Sequence, residues 1–420
     1  MLEDLIAKRL GDDCFLQVVR DAKEGHLCSA EGLYLPRNWE LETRILEKIR
    51  EIWARPCESV VFGGLAGLEE SQAKAIVNGA KKMLTIFTGG PGTGKTYTAC
   101  QFIRLLAPRK VVIAAPTGKA AAHLESVLGD YPCESTTLHR LLNLSPGIQR
   151  LQSTRKIDAD LVVVDEASML DPMLLLHLLN ALDPATRLLL LGDPDQLPPV
   201  DGGSLFPELT QLFGQKLDRS MRMGEGELYA LSQAILQGDA TRIPIEEWGE
   251  LPVKYETDPV QCLTEQKKFR ILGALRQGPL GIDALNAQIL ARAPKNCAVP
   301  ILITQNDTRQ KLYNGTTGVI HRKMAYFGER TLPESSLPGY EIAFCLSVHK
   351  SQGSEFDEVL ALFPPGSERF GKEALYTAVT RAKRNVKLWM TKETLEATLK
   401  ITSKKRSRFT KRFGLTSPSF

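Results

Sequence analysis

The stretch GGPGTGKT, Gly89 to Thr96, decides the fold; it stands between the apolar run MLTIFT at 83–88 and the helix-like run YTACQFIRLL at 97–106. It satisfies the pattern G-x-x-x-x-G-K-[ST] in the order strand, loop, helix that a phosphate cradle requires. Gly89, Gly90, Pro91, Gly92, Thr93 and Gly94 keep the loop small enough for backbone N–H groups to turn inward on phosphate oxygens. The helix opening at Lys95, Thr96 and Tyr97 adds a favourable dipole at its N-terminus. Lys95 would reach the β- and γ-phosphates, and the Thr96 hydroxyl would bind Mg²⁺.

Outward from the loop, KVVIAAP (110–116), ADLVVVDEA (159–167) and TRLLLLGD (186–193) repeat the short apolar run, with helical segments between them. Strands that are apolar throughout and alternate with helices predict an α/β fold, a parallel sheet covered on both faces. The run LVVV ends in Asp165 and Glu166, adjacent acids that would be costly at a buried strand end without a cation or a reacting partner. Asp165 is placed to hold Mg²⁺ through its water shell and Glu166 to polarise an attacking water. A pair capping the next helix is the bland alternative. In GDPDQLPPV (192–200) Gln196 could sense loss of the γ-phosphate, or the segment could simply be a turn built by Asp and Pro.

At 420 residues the chain exceeds what one hydrophobic core supports. Residues 40–53 put Leu41, Ile45, Ile49 and Trp53 on one stripe, which predicts an amphipathic helix in a small N-terminal unit (1–60). A first α/β lobe is expected over 61–222 and a second over 223–400. In the second, GELYALSQAILQG (226–238) and IDALNAQILARA (282–293) read as helices. FRILGAL (269–275), VPILITQND (299–307), YEIAFCLSV (340–348), DEVLALF (357–363) and NVKLWM (385–390) read as strands, and EALYTAVTRAKR (373–384) as helical. A β-rich, Gly- and Pro-punctuated insertion is expected at about 314–345. The end, KITSKKRSRFTKRFGLTSPSF, carries seven Lys or Arg and no acid. It predicts a solvated, disordered tail from 401, either solubilising or attracted to polyanions.

Apolar residues make up 43% and charged residues 24%, and no uninterrupted apolar run of 18 residues could span a bilayer. The start MLEDLIAKRLGDD lacks the features of a secretory signal, so no membrane association and a cytoplasmic location are expected. The net charge of +4 neither demands nor opposes a nucleic-acid partner. Eight cysteines without a CxxC pair argue against a metal site or a disulfide framework.

Further segments complete an ordered set: APTGKAA (115–121), STTLHRLL (135–142), DRSMR (218–222), SVHKSQGSEF (347–356) and LYTAVTRAKR (375–384). Together with the phosphate loop, VVVDEASM and GDPDQLPPV, the chain resembles superfamily 1 DNA helicases of the RecD family from about residue 25 to 395. The resemblance implies two recA-like lobes, an SH3-like fold for the insertion, ATP with Mg²⁺, and 5′ to 3′ movement on single-stranded DNA. It also implies action at duplex junctions in double-strand break repair, beside RecB-like and RecC-like chains that would carry any nuclease. A stand-alone helicase, or an ATPase subunit that regulates a nuclease without unwinding DNA, remains open. Carried over by position, Lys95, Glu166, Gln196, Arg222 and Arg381 would be catalytic, the two arginines as fingers on the γ-phosphate. Gln72 would read adenine, unless it is an exposed helix residue. Gly353 would allow close approach to the nucleotide and Glu355 would be offered to the ribose. Thr117, Lys119, His139, His349 and Lys350 would face DNA or support the loops that do; taken singly, each is equally well a turn or surface residue. The region ahead of GHLCSAEGLYLPRNWE is shorter than the family's usual one, leaving less surface for a RecC-type partner. Met221 stands where an aromatic residue is usual.

Overall fold

The computed structural model describes residues 28–29, 33–34, 36–57, 65, 67–144, 155–199, 202–217, 226–307, 309–404, 407 and 409–414. The arginine-finger expectation at Arg222 lies outside them. A short antiparallel pair, β1 (Cys28–Ser29) and β2 (Leu33–Tyr34), precedes helix α1 (Pro36–Trp53).

Six parallel strands form the first sheet: β3 (Leu84–Thr88), β4 (Val111–Ala115), β5 (Cys133–Thr137), β6 (Leu161–Val164), β7 (Arg187–Gly192) and β8 (Gly214–Lys216). Their order is β5-β4-β6-β7-β3-β8. The helices around it are α2 (Glu70–Ala80), α3 (Lys95–Leu106), α4 (Gly118–Leu128), the single turn α5 (Leu138–Leu141), α6 (Pro172–Ala181) and α7 (Phe206–Phe213). Successive strand residues feed opposite faces, as a pleated strand requires. Ile86, Val162 and Leu188 join a core with α1, α6 and α7, whereas Phe87, Val163 and Leu189 join one with α2, α3 and α4. Helix α1 belongs to the first of these cores. Its Ile45, Leu46, Ile49 and Ile52 are buried against α6, with Leu41 and Trp53 at the margin. The amphipathic stripe is therefore seated on the first lobe rather than in a unit of its own.

The second lobe carries α8 (Glu227–Gln237), α9 (Pro259–Lys268), β9 (Phe269–Gly273) and α10 (Ile282–Arg292). An antiparallel sheet follows, built from β10 (Val299–Ile303), β11 (Thr317–His321), β12 (Met324–Phe327), β13 (Arg330–Pro333) and β14 (Tyr340–Ile342) in the order β13-β12-β11-β10-β14. The chain then returns through β15 (Cys345–Ser347), β16 (Phe356–Leu362), α11 (Gly371–Val379), β17 (Ala382–Trp389) and α12 (Lys392–Lys400). Strands β15, β9, β16 and β17 form a four-stranded parallel sheet in that order.

Three expectations change here. The β insertion recruits VPILI, so it begins at Val299 rather than near 314. The run YEIAFCLSV is two strands in two sheets. Asn286 marks the crossing: its side-chain amide donates to Ile342 O and Cys345 O at 3.0 Å each and accepts from Cys345 N at 2.8 Å, which satisfies backbone groups that neither sheet pairs. The third correction is the tail. Residues 401–404 lie against the second lobe, and α13 (Phe409–Gly414) is packed into the first, with Phe409 fully buried. A segment that buries Phe409 and pairs Lys404 and Arg412 is not a solvated tail.

Candidate active site

Strands β6, β7 and β3 are adjacent, and their C-terminal ends present Asp165–Glu166, Asp193–Gln196 and the 89–96 loop side by side. Ligands of open parallel sheets bind outside these strand ends. Gly94 has φ +79°, and a Cβ there would lie 2.6 Å from Gln72 Nε2. The loop thus needs glycine twice over, for its left-handed backbone and for the amide packed against it. Gln72 is 4% exposed, not the surface residue the sequence left possible. Its Oε1 accepts from Glu69 N (3.3 Å), completing the cap of α2.

Lys95 Nζ donates to Gly89 O (2.7 Å) and Gly90 O (2.9 Å). Thr93 Oγ1 donates to Gly90 O (2.9 Å), which braces the same turn. Thr96 is half-buried at the start of α3, and Tyr97 beside it is exposed. Asp165 accepts from Glu166 N (2.8 Å), and Glu166 itself is held at φ +52°, a left-handed backbone costing roughly 1–2 kcal/mol in a residue with a Cβ. Such strain at a strand end concentrates at working sites. Asp165 keeps some accessible surface, yet its carboxylate lies on the cleft floor. Burial, reinforced by the Glu166 carboxylate, pushes it up to about 7 against the pull of the Glu166 N–H and Lys95. Asp193, 1% exposed, is raised by burial too, opposed by Lys95.

The second lobe closes this cleft through residues the sequence reading passed over. Tyr376 Oη donates to Asp193 Oδ2 (3.0 Å) and lies 3.1 Å from where a Cβ on Gly90 would stand. Thr377 Oγ1 accepts from Leu197 N (2.8 Å), and Gln352 Nε2 donates to Leu197 O (2.7 Å). Both backbone groups of Leu197, the residue after Gln196, are therefore held by the other lobe. Gln196 Nε2 reaches Asp193 Oδ2 at 3.4 Å, while its Oε1 is buried without a partner, and so is Ser168 Oγ. Arg381, 4% exposed, donates to Thr377 O (3.3 Å) and Ser354 O (3.2 Å) within its own lobe.

The expected DNA-side residues divide into two groups. Thr117 caps α4 through Ala120 N (3.3 Å), and a Cβ on Gly353 would meet its Oγ1 at 3.7 Å. Gly353 is required by its φ of +68°, and its near neighbour is this threonine. Lys119 Nζ donates to Ser354 Oγ (2.7 Å) across the lobes; desolvation there, then Arg270, Arg381 and Lys267, lower its pKa. Arg270 and Arg381 are buried, whereas Lys119 and Lys267 are exposed, one on each lobe, and such cations suit a polyanion. Lys350 is instead paired with Glu341 (2.7 Å), and His349 is packed edge-on to Phe370 (6.1 Å) with its pKa lowered by burial. Glu355 lies 3.8 Å from Lys383. His139 sits on α5, half-buried, its pKa lowered by burial. Tyr376 and Thr377 could have been suspected from LYTAVTRAKR, where they stand five and four residues before Arg381; Gln352 carried no separate signal.

Comparison with known proteins fits this geometry. Residues 72–202 match the AAA domain family and residues 342–389 the UvrD-like helicase C-terminal domain. The Mycolicibacterium smegmatis protein named RecBCD enzyme subunit RecD is 34% identical over 85% of this chain and 77% of its own length. The ATP-dependent RecD2 DNA helicase of Deinococcus radiodurans is 31% identical over 84% of this chain and 55% of its own. Among solved structures, Pif1 helicase from Bacteroides with ADP-AlF3 and ssDNA superposes with a TM-score of 0.53 at 17% identity, covering 83% of this chain and 96% of that one. That likeness supports two recA-like lobes as the fold. With a third of its residues identical to a relative most of whose length it spans, the chain belongs to the RecD family of ATP-dependent superfamily 1 DNA helicases.

Proposed function

We propose that ATP hydrolysis in this cleft drives the chain 5′ to 3′ along single-stranded DNA, up to duplex junctions, in double-strand break repair and recombination. The observation that carries the reading is the loop from Asp193 to Leu197. It shares the cleft with Lys95 and is bonded to Tyr376, Thr377 and Gln352 of the other lobe. A change in charge beside Lys95 would alter what the other lobe grips, which is how a hydrolysis step becomes a lobe movement.

The residues fit nucleotide and metal. Lys95 is bonded to two neutral carbonyls that phosphate oxygens would replace, and Asp165 is raised by burial and by the Glu166 carboxylate, a pair of acids that a bound cation would offset. Among the described residues no group of three or more His, Cys, Asp or Glu forms a cage. Mg²⁺ would then be held by the Thr96 hydroxyl and Asp165 together with phosphate oxygens and water, its usual preference, and would neutralise charge on the transferred phosphoryl group. Glu166 would orient the attacking water, Gln196 would relay loss of the γ-phosphate, and Arg381 with Arg222 would complete the positive surround. Gln72, packed on the loop, and the exposed Tyr97 would flank the base; Glu355 and Gly353 would approach from the second lobe. Thr117 and Lys119 would contact the DNA backbone, supported by His139, His349 and Lys350. We place the boundary between the lobes near residue 222 and read the antiparallel sheet as SH3-like.

The RecBCD subunit names of its relatives support assembly with RecB-like and RecC-like chains; we read those chains as the bearers of the nuclease and the assembly as cytoplasmic. Likeness to RecD2 supports a stand-alone helicase as the second reading. The test is ATP hydrolysis by the isolated chain with and without single-stranded DNA, then unwinding of duplexes with 5′ or 3′ tails. Stimulation by DNA and opening of the 5′-tailed duplex are expected. No stimulation would refute the motor, and a 3′ preference would refute the polarity.

A further inference from the structure

The loop from Asp193 to Leu197 has another neighbour, from the end of the chain. Lys404 Nζ lies 2.8 Å from Asp195 Oδ1. Asp195 is the middle of the loop: its N–H donates to Asp193 Oδ1 (3.0 Å), and its carboxylate raises the pKa of Asp193. The second lobe thus holds the loop at Asp193 through Tyr376 and at Leu197 through Thr377 and Gln352, and Lys404 holds the residue between them.

The segment that delivers Lys404 is built for the purpose. Glu373, 1% exposed, sits on α11 three residues before Tyr376. Its carboxylate accepts from Thr402 Oγ1, Ser403 N (2.8 Å) and Ser403 Oγ (3.0 Å), so the donors to this buried charge come from residues 402 and 403. Lys372 N donates to Ile401 O (3.0 Å). Gly371, at φ +69°, makes the approach possible, since a Cβ there would stand 2.7 Å from Ile401 O and 3.0 Å from Ser403 N. From Phe409 onward α13 is fixed on the first lobe. Phe409 is fully buried, Arg412 stacks on Trp39 at 3.6 Å and pairs with Glu42 at 3.5 Å, and Arg50 donates to Arg412 O (2.8 Å). One end of α11 therefore anchors this strap while the middle of the helix grips the loop, and the strap crosses to the first lobe at the loop itself.

We propose that Lys404 is a positioning residue of the motor: it fixes Asp195, and with it Asp193 and Gln196, so that hydrolysis is coupled to lobe movement. This rests on the reading of the chain as a DNA-driven ATPase. The side chains of Lys404 and Asp195 are 29% and 38% exposed, so the effect is modest, as for partly solvated ion pairs.

The test uses the full chain and the variants Lys404→Ala, Lys404→Arg and Lys404→Glu, with the exchange Lys404→Glu/Asp195→Lys. Lys404→Ala should lower DNA-stimulated kcat about three- to fivefold with KM for ATP and the thermal midpoint unchanged. Lys404→Arg should retain turnover, Lys404→Glu should lose more than alanine, and the exchange should recover part of the loss. The amide hydrogens of Asp193, Asp195, Gln196 and Leu197 should exchange several-fold faster in Lys404→Ala. Wild-type turnover and exchange in Lys404→Ala would overturn the proposal, as would a loss in which kcat and the thermal midpoint fall together and arginine gives no rescue. If the unaltered chain shows no stimulation by DNA, the motor reading fails by itself. The positioning role is then decided by the exchange rates alone.

Discussion

Replacing Thr377 by valine keeps the shape of a side chain that is fully buried and deletes the oxygen that accepts from Leu197 N at 2.8 Å. Leu197 is 2% exposed, so its N–H would be left inside the interface without a partner. Stranding a buried donor costs about 1–3 kcal/mol. Once the lobes separate, water satisfies that N–H, so the whole penalty falls on the engaged arrangement. The ratio of engaged to separated lobes should drop by roughly 5- to 150-fold. The carbonyl of Thr377, which accepts from Arg381 Nε and Thr380 Oγ1, is untouched, so the helix should stay intact. Dyes on cysteines placed at the exposed positions Val127 and Leu290, one on each lobe, would report the engaged fraction by energy transfer. Thr377→Ser keeps the acceptor and should retain most of the signal. Equal energy transfer in Thr377→Val and the unaltered chain would refute the reasoning, as would a serine variant as impaired as the valine one.

Lys95→Ala should reduce ATP hydrolysis about 10²- to 10³-fold, as expected for loss of a donor aimed at transition-state charge; a steady-state phosphate-release assay checks it. Asp165 titrates near 7, above its ordinary value, so the nucleotide-free site holds a proton below that pH that Mg²⁺ must expel. Affinity for Mg²⁺–ATP should therefore rise with pH up to about 7 and level off above it, and calorimetry at pH 6 in buffers of different ionisation enthalpy should show proton release. The same shift means that this group's contribution to stability without metal declines as pH climbs from about 4 to about 7, because the unfolded chain gives up its proton first. Phe409→Ala removes a fully buried ring, a loss of roughly 3–5 kcal/mol in a closed core. Because α13 is only six residues long, it should detach before the lobe unfolds, and tryptic cleavage at Lys411 or Arg412 should speed up at least tenfold.

The phosphate loop, the acid pair and the strands that carry them were legible because each is a continuous apolar run ended by polar groups, a pattern set within a few residues. What the sequence hid was settled by distant partners. In FTKRFG a six-residue helix is too short to show a period, and its burial depends on Trp39 and Phe213 far upstream. The run YEIAFCLSV carries no turn residue where it leaves one sheet for another; the break is made by Asn286, more than fifty residues earlier. VPILI reads as a lobe strand because it is apolar throughout, but the same composition serves the central strand pair of an antiparallel sheet. For Gln72 an exposed position stayed open, since nothing local says that a glycine loop will press against it. Tyr376 and Thr377 were within a quoted segment, yet only the docking of the two lobes singles them out.

The packing of α13 on α1 and α7 also bears on how the chain is made. Phe409 completes a core whose other members lie between Ile45 and Phe213, so the last face of the first lobe is covered only after the second lobe has left the ribosome. Until then Trp39, Trp53 and Phe213 have no cover from Phe409, Arg412 and Phe413, and partly folded chains with such apolar patches are prone to aggregate. A chain released after the second lobe but before Phe409 would carry both lobes and still leave this patch open for proteases and chaperones. Synthesis past Phe409 is thus registered in the stability of the lobe that was translated first.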